Sequence, residues 1–305
     1  MPHDHSGHHH HHIDPEAGDL RVAVAIAVNF ILTLAQIAGG ILSGSIALIA
    51  DALHNLSDAF SLVIAFWARR VARRPPDADM TFGYARVEDV AALINYTALI
   101  LVGFWLGAEA VLRFLDPQPV QGWIVVILAG VALVIDAATA VLTYRMAKDS
   151  VNIRAAFLHN LADALGSVAV IIAGGAILMF GWTWIDPLVT LGIAGYILWM
   201  GLTEIGPVIR TLMLGRPEGL RIETVRDQVA KVNGVSDVHA THLWQAPDGP
   251  RFDAHVTITA GQWENADAIK AAVKSVLVDK FHIQTSVIEV ECAHHKCTLP
   301  PDIGG

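Results

Sequence analysis

Between residues 20 and 213 the chain runs through long apolar stretches separated by short polar breaks. The stretches cover 20–43, 46–70, 88–115, 121–147, 153–181 and 184–213. At ~1.5 Å per helical residue each is long enough to cross about 30 Å of hydrocarbon. LSGS at 42–45 and GWTW at 181–184 are short enough to close helical hairpins. After Pro217 the period changes. Residues 220–232 read as an amphipathic helix, and 236–245 and 251–259 as strands joined by PDGP. Then 264–280 reads as a second helix and 284–292 as a last strand. The pattern predicts an α-helical membrane protein with six transmembrane helices, followed by an α+β domain of order α-β-β-α-β. The two helices of that domain are expected on one face of a three-stranded sheet.

Composition agrees with this division. Of 305 residues, 54% are apolar and only 16% charged, and the mean hydropathy is +0.50. Residues 22–50 carry no charged side chain, whereas 217–292 intersperse Lys, Arg, Asp and Glu. We expect three parts: a His-rich tail at 1–18, a membrane domain at 19–215 and a cytosolic domain at 216–305. The net charge of −9 offers no basic patch, which argues against a nucleic-acid partner. Arg69, Arg70, Arg73, Arg74 and Arg86 flank the second loop, Arg145, Lys148 and Arg154 the fourth, and Arg210 and Arg216 follow the last span. Arg113 alone lies at an opposite end. By the positive-inside rule both termini face the cytosol. The first eighteen residues are polar and do not read as a signal peptide. Their His8–His12 run suits either an expression tag or a metal-collecting tail.

The chemistry lies in a repeat. Residues 51–58 read DALHNLSD and residues 156–163 read AFLHNLAD. Residues four apart share a helical face, so His54 with Asp58, and His159 with Asp163, can each present two ligands together. Two nitrogens and two carboxylate oxygens suit tetrahedral zinc. An ionisable group at the bilayer centre costs ~2.5–3.5 kcal/mol on insertion scales, which marks such positions as an ion or proton path. A single pair could serve only as a hydrogen-bonded couple between helices; two near-identical copies favour a metal site. Asp51, about a turn before His54, and Asn29, Asn95 and Asp136 are further polar positions in the spans that could line a hydrated cavity or support the ligands. Single polar groups more often pack helices, so they are left outside the site with Asp51 held in reserve, while Asn55 and Asn160 read as helix-packing groups.

The chain resembles the cation diffusion facilitators, a family of metal–proton exchangers that includes bacterial cobalt–zinc–cadmium resistance proteins and mammalian zinc transporters. The six spans, the two HxxxD copies, TFGYARVE at 81–88 and GVSDVHATHLW at 234–244 carry the likeness. The resemblance implies a transport site on the second and fifth helices, at His54, Asp58, His159 and Asp163. It also implies zinc preference from the first histidine, a homodimer and a metallochaperone-like cytosolic fold. Some members bind a second metal between helices two and three. Here that loop keeps Asp77 but has Met80 and Tyr84 where histidines would stand, so the site is not expected. The short loop between helices four and five favours a bacterial inner-membrane protein.

In the soluble part the candidates are His239, His242, His255, Glu291, Cys292, His294, His295 and Cys297. Neighbouring strands can join His239, His255 and Glu291, and the family resemblance implies regulatory zinc at similar positions. CAHHKC, with Cys292 and Cys297, forms a second cluster of thiolates beside imidazoles, which also suits zinc. The expected function is proton-coupled zinc efflux, with cadmium or cobalt as other cargo, no organic cofactor and no Walker-type nucleotide loop. A membrane metallohydrolase or a metal sensor are the rival readings; HExxH is absent from the spans.

Overall fold

The computed structural model describes residues 30–146 and 151–292; within these, the side chains of 62 and 142–160 lie outside the description. The membrane helices are α1 (Phe30–Ser43), α2 (Ile46–Ala72), α3 (Val87–Leu115), α4 (Gly122–Met146), α5 (Val151–Phe180) and α6 (Ile185–Leu212). Five of them, α2 to α6, are long and apolar enough to cross a membrane. For α1 the expected span at 20–43 lies partly outside the described residues, and its described part is shorter than a span.

The chain divides into two compact units. Among the described residues, one holds those up to Trp67 together with Ile94–Thr203, and the other holds Ala68–Leu93 with those from Glu204 onward. In the first unit α2 packs on both sides. Ala47 and Leu48 meet Val125 and Ala129 of α4 and Val170 of α5, while Ala50 meets Leu99 and Leu106 of α3 and Ala194 and Ile197 of α6. The outward faces carry Phe66, Trp67, Leu101, Trp105 and Ile172, all exposed in a way that only lipid makes favourable. Helices α4 and α5 approach closely at Gly174, where a Cβ would stand 2.9 Å from a Val126 methyl and 3.1 Å from the Gly122 carbonyl.

The start of α2 is capped by another helix. Ser45 accepts the Leu48 N–H through its hydroxyl oxygen and donates its proton to Asp186 at the start of α6. The Asp186 carboxylate also accepts the N–H groups of Ile46 (2.9 Å) and Ala47 (3.4 Å). A negative group thus satisfies the free donors of a helix N-terminus inside an apolar setting. Gly44, at φ +77, makes the preceding turn, and a Cβ there would press on the Pro119 carbonyl at 2.6 Å. This clasp sets the direction in which α2 projects its histidine.

In the second unit the order α7 (Ile222–Ala230), β1 (Val235–Ala246), β2 (Gly249–Ile258), α8 (Ala266–Phe281), β3 (Thr285–Cys292) follows the sequence expectation. The hairpin is tighter than PDGP implied, because β1 runs to Ala246 and β2 resumes at Gly249. Strand β2 is central, antiparallel to β1 and parallel to β3. Val225 and Val229 of α7, Val273 and Leu277 of α8, and Val238, Leu243, Phe252, Val256 and Ile288 of the sheet form one core. Both helices therefore cover the same sheet face, and no helix among the described residues of this unit covers the other. The loop before α3 is tied by Asp77, which accepts N–H groups of Asp79 and Met80 and the Tyr84 hydroxyl (2.6 Å). The Arg251 guanidinium of β2 lies over the Phe82 ring at 5.8 Å.

Candidate metal sites

His54 and Asp58 sit one helical turn apart on α2, and Asp163 faces them from α5. The His54 Nε2 atom stands 3.2 Å from Asp163 Oδ1 and 3.8 Å from Asp58 Oδ2. One ligand atom from each of the three lies within 4.8 Å of the others. Zinc held tetrahedrally at ~2.0–2.1 Å needs its ligand atoms roughly 3.3–3.4 Å apart. The two measured separations bracket that distance, so small side-chain shifts would complete the geometry. His54 and Asp163 are buried and Asp58 is half-buried. The sequence also expected His159; its backbone is on α5, four residues before Asp163, and its side chain lies outside the described residues.

A cavity of about 440 Å³ adjoins these groups. It is lined by Asp51 and His54 from α2, Asp163, Gly166 and Ala169 from α5, and Val189, Gly192 and Tyr196 from α6, among others. The Tyr196 ring meets the His54 imidazole nearly at right angles, with centroids 5.9 Å apart. Asp51, left outside the site by the sequence reading, is thus a wall of the same cavity. Its spacing from His54, three residues, was the available signal. Nothing in the sequence pointed to Tyr196, which sits among the apolar residues of α6.

The second cluster stands on the sheet face away from α7 and α8. Pairing of His239 with His255, and of Thr257 with Glu291, puts all three ligands on one face. Glu291 reaches both imidazoles: Oε1 is 2.7 Å from His255 Nδ1 and Oε2 is 3.3 Å from His239 Nε2. Asp237 approaches the other nitrogen of His239 and Glu289 that of His255, each at 3.4 Å. Just after His239, Ala240 adopts a left-handed φ of +47 and the register shifts before His242. This bulge places exposed His242 one pair further along, opposite Asp253, outside the cluster. Cys292 follows Glu291 directly, so the strand pleat turns it to the other face, opposite Ile258. Cys297, His294 and His295 lie outside the described residues.

Outside the membrane helices, the Tyr84 hydroxyl and then the Met80 amide hold the Asp77 carboxyl below its ordinary range, and Asp77 in return raises the Tyr84 phenol. Asp77 is therefore occupied by its own loop, and neither Met80 nor Tyr84 supplies an imidazole beside it.

Comparison with known proteins adds the following. A family model described as the cation efflux transmembrane domain matches residues 22–213, and one described as the cation efflux protein cytoplasmic domain matches 217–293. The zinc transporter ZitB of Pectobacterium atrosepticum is 34% identical over 296 residues, covering 95% of this chain and 92% of that protein. ZitB of Escherichia coli is 32% identical over 310 residues, covering 100% and 98%. A cadmium, cobalt and zinc/H(+)-K(+) antiporter of Bacillus subtilis is 36% identical over 213 residues, covering 69% and 68%. Among solved structures, the metal-bound C-terminal domain of the CzcD transporter from Cupriavidus metallidurans is 25% identical, covering 24% of this chain and 99% of that one, with a TM-score of 0.22.

Proposed function

This chain belongs to the cation efflux family, and from that premise we propose that it exports zinc from the cytosol in exchange for protons. It is an integral membrane protein and a metal cation transporter rather than an enzyme. The ion site we propose comprises His54, Asp58, His159 and Asp163. The observation that carries the reading is the 3.2 Å approach of His54 on α2 to Asp163 on α5. It brings together one residue from each sequence copy of HxxxD, His54 on α2 and Asp163 on α5.

Metal binding needs neutral imidazoles and ionised carboxylates, so an ion arriving from the cytosol displaces protons from the site. Protons returning from the outer side compete for the same nitrogens and oxygens and release the ion there. Alternating exposure of one site to the two sides turns this competition into exchange without ATP. The relatives named for zinc support zinc as cargo, and the Bacillus antiporter's name supports cadmium and cobalt as further cargo and protons as counter-ions.

We assign His239, His255 and Glu291 to regulatory zinc in the cytosolic domain, with Cys292 and Cys297 as a separate terminal pair. The domain limits we propose are 1–18, 19–215 and 216–305, with six spans, cytosolic termini, a bacterial inner membrane and a homodimer. The test is zinc uptake into sealed proteoliposomes under an imposed pH gradient. Flux that follows the gradient and stops when it is collapsed is expected. Zinc binding without flux would overturn the transport reading in favour of a sensor.

A further inference from the structure

His54 stands between a ligand cluster and a cavity wall that share Asp163. With Asp58 and Asp163 it forms the cluster already described. With Asp51 and Asp163 it lines the cavity, whose wall does not include Asp58. The spacing explains the overlap. Asp51 is three residues before His54 and Asp58 four after it, so all three occupy one helical face with the imidazole in the middle. Along the helix axis the two carboxylates stand about 10 Å apart, at ~1.5 Å per residue. Asp58 is nearer the arginine-rich end of α2, and Asp51 is nearer the end clasped by Asp186.

Asp51 is 4% exposed, and its hydrogen-bond donor is neutral: the Gln36 amide of α1, at 2.8 Å. The Gln36 Oε1 atom beside it is buried without a hydrogen-bond partner. The titratable groups acting on Asp51 are Asp136 from α4, His54 from α2 and Asp163 from α5; none is a lysine or arginine. Gly166 of α5 keeps that side open, since a Cβ there would already touch Asp51 Oδ1 at 3.5 Å. A buried carboxylate of this kind, with an unused oxygen acceptor beside it and a cavity in front, is built to meet a mobile cation.

We propose that Asp51 is a release ligand. The transported ion exchanges the Asp58 carboxylate for that of Asp51 while His54 and Asp163 stay bound. One metal–oxygen bond breaks as another forms, so the charge around the ion is unchanged during its step toward the Asp186 end of the cavity. The inference rests on the transport reading above and extends it from one position of the ion to two.

The experiment measures zinc and cadmium uptake by the full-length protein in proteoliposomes under a pH gradient, for the parent and for Asp51→Asn, Asp51→Glu and Asp51→Cys. Asp51→Asn is expected to lower maximal zinc turnover roughly tenfold with little change in the half-saturating concentration, because the first ligand set is intact. Asp51→Glu should recover part of the rate. A soft thiolate favours cadmium over zinc, so Asp51→Cys should raise the cadmium-to-zinc rate ratio roughly tenfold. A residue that only packs helices, or only carries protons, would not move that ratio. Parental turnover in Asp51→Asn, or an unchanged ratio in Asp51→Cys, would overturn the inference and leave the transport reading standing. Absence of parental flux would overturn both. If Asp51→Asn does not fold, the glutamate and cysteine variants carry the test.

Discussion

Replacing Glu291 by glutamine removes the carboxylate that touches both cytosolic imidazoles while keeping the side chain's size. Glu291 is 8% exposed and stands 2.7 Å from one histidine and 3.3 Å from the other. Losing even an indirect partner of a metal ligand costs about 10–100-fold in affinity. A direct ligand should sit at or beyond the top of that range: about a hundredfold, or ~2.8 kcal/mol at 1.4 kcal/mol per tenfold. Glu289 supplies the internal control. It approaches His255 from the other side at 3.4 Å but is 65% exposed, and exposed pairs of this kind contribute about 0.2–1 kcal/mol. Glu289→Gln should therefore weaken binding no more than about fivefold. The assay is calorimetric zinc titration of the full-length protein with Asp58 and Asp163 both changed to alanine, which removes two membrane-site ligands; the histidine run and the terminal cysteines are the same in both variants and cancel in the comparison. If Glu291→Gln weakens zinc no more than Glu289→Gln does, burial does not select the ligand and the assignment of Glu291 fails.

Alanine at Asp58 or Asp163 should cut zinc flux roughly a hundredfold or more in a protein that still elutes as the parent does; near-parental flux from either would remove the proposed site. His54→Asp should keep zinc transport and raise cadmium transport relative to zinc, because a carboxylate can shift or bind through both oxygens; the rate ratio in vesicles decides it. Phe252, fully buried at the centre of β2, should destabilise the cytosolic domain by about 3–5 kcal/mol when changed to alanine, read from its denaturant midpoint. Asp77→Asn should lower the Tyr84 titration seen in ultraviolet difference spectra, since the Asp77 carboxylate raises that phenol. The signs are opposite for the two partners. Asp77, held low, contributes stability above the ordinary carboxylate range, lost as pH falls through its folded value; Tyr84, held high, contributes below the ordinary phenol range, lost as pH rises through its folded value.

Much of this protein was legible before any coordinates, for local reasons. Uncharged runs of spanning length left a helix as the way to satisfy the backbone in lipid. Alternation after Pro217 marked strands, and the i, i+4 spacing put His54 with Asp58 on one helix face. None of these depends on which element lies beside which.

What tertiary structure alone decided is neighbourhood. The meeting of His54 with Asp163 from another helix follows from α2 and α5 sharing a core cluster that holds Leu48 and Val170, which no periodicity reveals. Asp51 and Tyr196 became part of the same cavity for the same reason. In the cytosolic sheet, Val238 and Leu243 face one core although they are five positions apart, an odd step that strict alternation forbids. The bulge at Ala240 resolves that, and it also turns His242 to the His239 face, one pair further along the ladder. The parallel placing of β3 beside β2 brings Glu291 between two histidines more than 35 residues earlier. Spacing along a chain sets which side chains share a face; only the packing of faces sets which of them share an ion.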